Sequence, residues 1–533
     1  MSDDTTPLLA LRRDLYRRFG AAQLALSANG RDVHFTARVE AGLGVGRFAV
    51  LGAGDDTAGP ALVAQVRESQ LVEREGPALE VTADVDAAGA HVTGATLRPV
   101  LRLIAGTGVV LGMLDGLDFT AQEAVEPFGE QVIRPARADE VAAIAAGLRR
   151  GTPTIELGRL RQAPHVPACV RAKGFARHTF MCGQSGSGKT YATGALFERL
   201  LGATTLPIMV LDPNSDHVHL DRLRDPAETS EEADRFRAVA PSVRVVRARG
   251  HEGSYTLCTD FSDLTFDWQA LLLHLHPVHD ADEFAALRRI TASLATPYAV
   301  DDVREAGRRL AADDPLAGRI VRRIDNLGIA DWAVWRRGDE TSISTVGLRH
   351  ERCVVFDVGS LPHPDERTTV ALAVLGALWR RRTDRSPVLV AIDEAHNVLP
   401  ASTEDPLLQA TSDLGVLIAG EGRKFGLHLF VATQRPAKVH PNVVSQCDNL
   451  ALMRMNGVRD VEDVVALFSH VPPAMVREAT SFGLGEVLLA GPIAPVPIFA
   501  KVGSRFSPEG GGDVPTTWAA PPEGLRPAAD PDV

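Results

Sequence analysis

The 533-residue sequence has no apolar run long enough to cross a bilayer; its longest, such as Val388–Ile392, are strand-sized. The opening residues, MSDDTTPLL, show no basic segment followed by an apolar stretch, so no secretory signal is expected. Cysteine is scarce. Cys169, Cys182, Cys258, Cys353 and Cys447 are scattered, with no CxxC pair and no histidine at metal-ligand spacing. They read as small buried residues of a reducing, cytoplasmic protein rather than as a disulfide framework. A basic balance is also missing. The net charge of −12 argues against a generally basic coat for nucleic acid, while leaving room for a basic channel inside an acidic ring. Hydrophobic residues make up 45% and charged residues 23%, as in soluble globular proteins. The length predicts two or three domains.

The chain divides into four stretches. Residues 1–30 hold a helical segment, Leu8–Phe19, bearing Arg12, Arg13, Arg17 and Arg18, which reads as a basic contact surface or a solvated amphipathic helix. Residues 31–135 carry short alternating runs separated by glycine turns, such as Val33–Ala37 and Gly46–Leu51, and predict a small β-barrel. Nothing in that stretch has catalytic character, which suits an assembly or docking module. Residues 136–505 alternate strands with helices and predict an α/β core with a parallel sheet, interrupted by a helical insertion at about 266–340. Residues 506–533 are rich in Pro, Gly, Asp and Ala and read as a disordered tail.

Within the core, the apolar run Thr179–Cys182 is followed by Gly183-Gln184-Ser185-Gly186-Ser187-Gly188-Lys189-Thr190 and then by a helical pattern. Strand, glycine-rich turn and helix in that order match G-x-x-x-x-G-K-[ST] at every fixed position. Glycines let backbone N–H groups converge on phosphate oxygens, and the helix turns its positive N-terminus to the same anion. Lys189 is placed to reach the β- and γ-phosphates of ATP and Thr190 to bind Mg²⁺.

Val388–Ile392 reads as a buried strand with Asp393 and Glu394 at its C-terminal end, where open α/β sheets bind ligands. Asp393 suits the Mg²⁺ shell, and Glu394 suits a general base for the attacking water. His396 follows closely and reads as packing near the strand end. A third strand, Leu427–Ala432, ends in Thr433-Gln434, a polar pair suited to the γ-phosphate or the attacking water. Ahead of it Arg423 has two readings: an arginine acting on a neighbouring subunit's nucleotide, or a surface residue capping a helix C-terminus. Arg454 and Arg459 are candidates for further phosphate or subunit contacts. Arg380-Arg381-Arg382 could face a DNA channel or simply end a solvated helix.

The segments GQSGSGKT, VLVAIDEAH, EGRKFG and VATQRP, in this order, resemble the HerA branch of the FtsK/HerA superfamily of ring ATPases over roughly residues 30–500. The β-rich stretch is similar to the N-terminal barrel of that branch. LDPNSDH looks like the family's D-P-H-G-E-Y motif, with Asn214, Asp216 and His217 departing from it. The resemblance implies a RecA/FtsK-like P-loop core with residues 183–190 at the phosphates, Thr190 and Asp393 at Mg²⁺, and Glu394 as catalytic base. It implies Gln434 as sensor and Arg423 as a finger acting in trans. It also implies a homohexamer, translocation on double-stranded DNA, and a partner that is a NurA-like nuclease or an anti-phage defence effector. The competing expectation is an ATP-gated ring scaffold that activates an effector with little motion of its own. A protein-moving secretion ATPase and a superfamily 2 helicase are weaker alternatives; for the latter, no second-domain Q-x-x-G-R-x-G-R motif accompanies the DEAH.

Overall fold

The computed structural model describes residues 23–52, 59–75, 79–81, 95–97, 100–345 and 351–510. The basic segment Leu8–Phe19 and the expected tail beyond residue 510 lie outside the described residues. The chain forms two compact units, one of residues 1–206 and 379–504, the other of residues 207–378 and 505–533.

The first unit begins with a barrel. Asp32–Arg38, Leu24–Ser27, Phe128–Pro135, Phe48–Gly52, Ala61–Glu75 and Val100–Asp115 pair in that order, and the last pairs back onto the first. Asp118–Ala121 extends it as a hairpin on Val100–Asp115. The alternation in the sequence decides which face is inside. In Asp32–Arg38, Val33, Phe35 and Ala37 are buried while Asp32, His34 and Arg38 face solvent. Leu43, Leu51, Val66, Val110 and Ile133 complete the interior. The first barrel strand, Leu24–Ser27, lies ahead of residue 31, where the barrel was expected to begin.

The helix Ala138–Arg149 follows, and its first turn is fastened to the barrel by Glu140. The Glu140 carboxylate accepts from Arg134 Nη1 and Nη2 at 2.8 and 2.7 Å and from the backbone N–H of Arg137 at 2.7 Å. Burial alone pushes this carboxyl's pKa up, but the bonds from Arg134 and Arg137 more than offset it, so the net shift is downward.

The sheet of the first unit runs Ala163–Arg171, Thr154–Leu160, Ile498–Val502, Glu486–Ala490, Cys447–Leu452, His178–Cys182, Leu427–Thr433, Val388–Ile392. The last four are mutually parallel. The remaining neighbours are antiparallel, so the C-terminal strands and the hairpin before the P-loop extend the sheet without continuing its parallel order. The helix Lys189–Ala203 packs on the parallel part through Ala192, Ala195, Leu196, Phe197 and Leu200. Phe197 meets Phe430 edge-on with ring centroids 5.4 Å apart. The helix Pro406–Glu421 starts as sequence rules dictate, with Pro406 in its first turn and the Asp405 carboxylate accepting from Leu407 N at 2.9 Å. His178 is fully buried; its Nδ1 accepts from Leu429 N at 2.8 Å, and its Nε2 lies 2.9 Å from Ala419 O. Burial pushes its pKa down to about 4, so the ring is neutral and Nε2 carries the donating proton.

The second unit has its own parallel ladder, Ile208–Asp212, Cys353–Asp357, Val243–Arg247. Four helices, Phe266–Leu272, Ala281–Ala292, Val300–Leu310 and Pro315–Leu327, form the insertion. Arg323 ties two of its segments together through Asp280 at 2.9 Å and Glu283 at 2.6 Å. Asp212, in LDPNSDH, closes its turn by accepting from the backbone N–H groups of Asp216 at 3.0 Å and His217 at 2.8 Å. Among the described residues no helix is long and apolar enough to cross a membrane.

Glu140→Gln is expected to lower stability at neutral pH by about 1–3 kcal/mol, because a charged acceptor of three donors is lost in a buried site. The folded pKa is depressed, so the wild-type advantage is present above the unfolded carboxyl value of about 4.3 and disappears as pH falls through the lower folded value. Thermal melts of both proteins at a series of pH values check this; a gap that persists unchanged at the acid end contradicts it.

Candidate active site

Parallel strands deliver their following loops to one edge of the sheet. Cys182 is in register with both Thr433 and Leu452, and Ile392 with Val431. The loops after them therefore emerge side by side, bringing Gly183–Gly188, Asp393–His396, Gln434 and Arg454 together.

The loop between strand and helix has Gly186 at φ 73° and Gly188 at φ 89°, backbone conformations that a Cβ would strain. Its outer side is fastened. Arg454 Nη2 donates to Gly186 O at 2.9 Å, and Gly485 N donates to Ser187 O at 3.0 Å. Gln184 is held at both ends: its N–H donates to Arg454 O at 3.0 Å, and its Oε1 accepts from Asn456 N at 2.8 Å. Because a trans peptide sets its C=O and N–H on opposite sides, fixing the Ser187 carbonyl to Gly485 turns the Gly188 N–H the other way. Ser187 is fully buried, and its Oγ has no hydrogen-bond partner. A buried hydroxyl without a partner beside a left-handed glycine turn fits a phosphate.

Lys189 is 4% exposed. Its Nζ contacts Asp393 Oδ1 closely and lies 3.1 Å from Glu394 Oε1. Burial pushes the ammonium pKa down, but the two carboxylates outweigh it, and the net shift is upward. Lys189 thus stays charged. Glu394 sits at φ 42°, a left-handed conformation uncommon for a residue with a side chain. Its carboxylate is held on one side by Gln434, whose Nε2 donates to Oε1 at 2.7 Å. On the other side His396 Nδ1 lies 3.3 Å from Oε2 and 3.1 Å from Thr433 Oγ1. Burial pushes the His396 pKa down despite the neighbouring Glu394, so the ring is a neutral hydrogen-bonding partner.

Lys189, Asp393, Glu394 and Gln434 are thus assembled at one place, with Thr190 in the first turn of the same helix. His396 belongs with them, although the DEAH run alone suggested only packing. Its signal is the contact with Thr433 at the end of the neighbouring strand Leu427–Thr433, which sequence spacing does not contain.

Arg423 is not at this edge. It lies in the turn Gly422–Phe425 ahead of the strand Leu427–Thr433, and its Nη1 pairs with Asp448 Oδ2 at 2.9 Å. Asp448, the second residue of the strand Cys447–Leu452, also meets Arg177, at 3.2 Å. That is the opposite end of the parallel strands, about 20 Å away for a seven-residue strand. Arg454, by contrast, touches the P-loop. Arg459 is exposed. Arg381 pairs with Asp384, and Arg382 stacks over Trp379 at 4.4 Å, so these two arginines are engaged locally.

A parallel sheet with a P-loop, its lysine on an Asp-Glu pair and a glutamine beside the glutamate defines a P-loop ATPase fold. Residues 155–314 match the family described as "Helicase HerA, central domain". The chain is 30% identical over 128 residues to a probable DNA double-strand break repair helicase HerA of Methanocaldococcus jannaschii, covering 24% of this chain and 25% of that one. It is 29% identical over 212 residues to the DNA double-strand break repair helicase HerA of Sulfurisphaera tokodaii, covering 38% and 41%. Among solved structures it is similar to VirB4 of Thermoanaerobacter pseudethanolicus, with 16% identity, a TM-score of 0.46, and 66% and 97% of the two chains covered. The chain therefore has a P-loop ATPase fold and is similar to HerA helicases over the matched segments. The matched family segment ends before Asp393, and the two curated relatives are matched over a quarter and two-fifths of their length.

Removing Lys189 leaves two buried carboxylates unpaired. Lys189→Met is expected to destabilise the nucleotide-free protein by up to about 3–5 kcal/mol. Adding Asp393→Asn and Glu394→Gln should restore most of that loss. Unfolding midpoints of the single, double and triple variants measure the coupling; strict additivity would refute the buried triad.

Proposed function

We propose that this protein is an Mg²⁺-dependent ATPase that assembles as a homohexamer and moves double-stranded DNA, working with a nuclease of the NurA kind or a defence effector in the cytoplasm. The observation that carries the reading is the meeting of Lys189, Asp393, Glu394 and Gln434 at the C-terminal edge of one parallel sheet. The match to a helicase HerA central domain supports the DNA substrate.

In this reading the loop Gly183–Gly188 binds the phosphates through backbone N–H groups, and Lys189 turns from the carboxylates to the β- and γ-phosphates. Thr190 and Asp393 would hold Mg²⁺, which would supply charge that neutralises the phosphates. Glu394 orients and deprotonates the attacking water. Gln434, hydrogen-bonded to Glu394, holds that base until the phosphate is in place and then reports its loss along the strand Leu427–Thr433. His396, fixed by Thr433, limits the rotation of Glu394. Arg423 lies at the far end of those strands, so its role in this reading is on a neighbouring subunit's phosphates.

One observation favours the scaffold reading instead. The barrel wall carries a cavity of about 660 Å³, bordered by Leu26, Phe35, Gly106, Ala474 and Arg477, which suits partner docking. The two readings separate in one assay. ATP hydrolysis is measured with and without linear duplex DNA, using Glu394→Gln as control. The motor reading expects strong stimulation by duplex, and a drop of about 10²-fold or more in the variant with ATP binding retained. Arg423→Ala should assemble normally and hydrolyse about 10³-fold more slowly. Hydrolysis indifferent to DNA supports the scaffold, and full activity in Arg423→Ala removes the trans role.

A further inference from the structure

The rim of the P-loop carries an apolar side chain that the phosphate chemistry does not use. Leu484 is 62% exposed, whereas Phe482, two residues earlier, is buried. A single exposed leucine is ordinary on a protein surface. This one differs because the backbone around it is fixed. Gly483 N donates to Glu486 Oε2 at 2.8 Å, Lys501 Nζ donates to Leu484 O, Gly485 N donates to Ser187 O at 3.0 Å, and Val502 N donates to Gly485 O at 3.0 Å. Gly485 is left-handed, at φ 71°. The loop also lies against the residue before Lys189: a Cβ added to Gly188 would come within 3.4 Å of both Leu484 Cδ1 and Gly485 N. An exposed isobutyl group is therefore carried on a fixed backbone at the mouth of the phosphate loop.

We propose that Leu484 is the apolar seat of the nucleobase, against which the purine face of ATP packs while the loop holds its phosphates. The inference rests on the phosphate-site reading and deepens it. A ligand whose phosphates occupy residues 183–190 must leave across one flank of the loop. The other flank is polar, formed by Arg454, whose guanidinium donates to Gly186 O, and Asn456, whose backbone N–H donates to Gln184 Oε1. A purine face is planar and mostly apolar, and it gains from covering an exposed aliphatic side chain. Leucine offers no hydrogen bond to a base edge, so the seat supports purines without separating adenine from guanine.

The test uses the full chain and equilibrium calorimetry with three probes: a non-hydrolysable ATP analogue, its GTP counterpart and inorganic tripolyphosphate. Leu484→Ala is expected to weaken both nucleotides about tenfold, to leave tripolyphosphate within twofold, and to leave the oligomer unchanged by light scattering. Leu484→Met, which keeps the apolar area, should restore nucleotide affinity. If Leu484→Ala leaves the nucleotides unaffected, lowers all three ligands by the same factor, or changes only the assembly, Leu484 is not a base seat. Lys189→Ala, run in parallel, should abolish tripolyphosphate binding. If it does not, the phosphate site itself is misassigned and the inference falls with it, through a readout separate from the Leu484 ratio.

Discussion

Two buried carboxylates share one buried ammonium, and the site is organised around that imbalance. Lys189 is held by Asp393 and Glu394 within the fold, where isolated charge is expensive. A phosphate can be gripped only if Lys189 turns toward it. Once it does, the carboxylates need another cation, so the pair calls for a divalent ion together with the phosphate. The same geometry restrains Glu394, the proposed base. Glu394, already in a left-handed backbone conformation, is held by Gln434 and faces His396, so its orientation depends on the exits of two neighbouring strands. In the proposed ATPase cycle this would link nucleotide chemistry to strand position.

The parallel order of the four strands explains both what is together and what is apart. Their C-terminal ends supply the phosphate loop, the acidic pair and the glutamine. Their N-terminal ends hold Arg423 with Asp448 and Arg177. No rotamer of Arg423 spans a sheet strand, so an arginine from this position reaches a phosphate only across a subunit boundary. The oligomeric proposal therefore rests on topology as well as on resemblance.

Much of this was legible in the sequence because the signals are local. Residues 183–190 form a contiguous motif, and Asp393-Glu394 follows five apolar residues that can only be a buried strand. Gln434 ends a similar run. What was not legible is long-range. The alternation of strands and helices over residues 136–505 predicted a parallel sheet, but alternation does not encode direction, and Glu486–Ala490 and Ile498–Val502 are antiparallel additions. Leu24–Ser27 is four residues long and follows a basic helical pattern, so its place in the barrel depends on pairing with Asp32–Arg38 and Phe128–Pro135. The fastening of the P-loop by Arg454 and Gly485 joins residues about 270 to 300 positions apart, and the Thr433–His396 contact bridges two strand ends. Such contacts come from sheet order, which a linear pattern does not carry.

In the proposed ring each nucleotide site is completed by Arg423 of the next subunit, and mixing two inactive variants tests this. Lys189→Ala subunits lack a working phosphate site but keep Arg423; Arg423→Ala subunits keep the site but lack the arginine. Each alone should be nearly silent in ATP hydrolysis. Mixed and reassembled, they should regain a substantial fraction of wild-type activity, because sites in one variant meet arginines of the other. A mixture no more active than its parts would contradict the account.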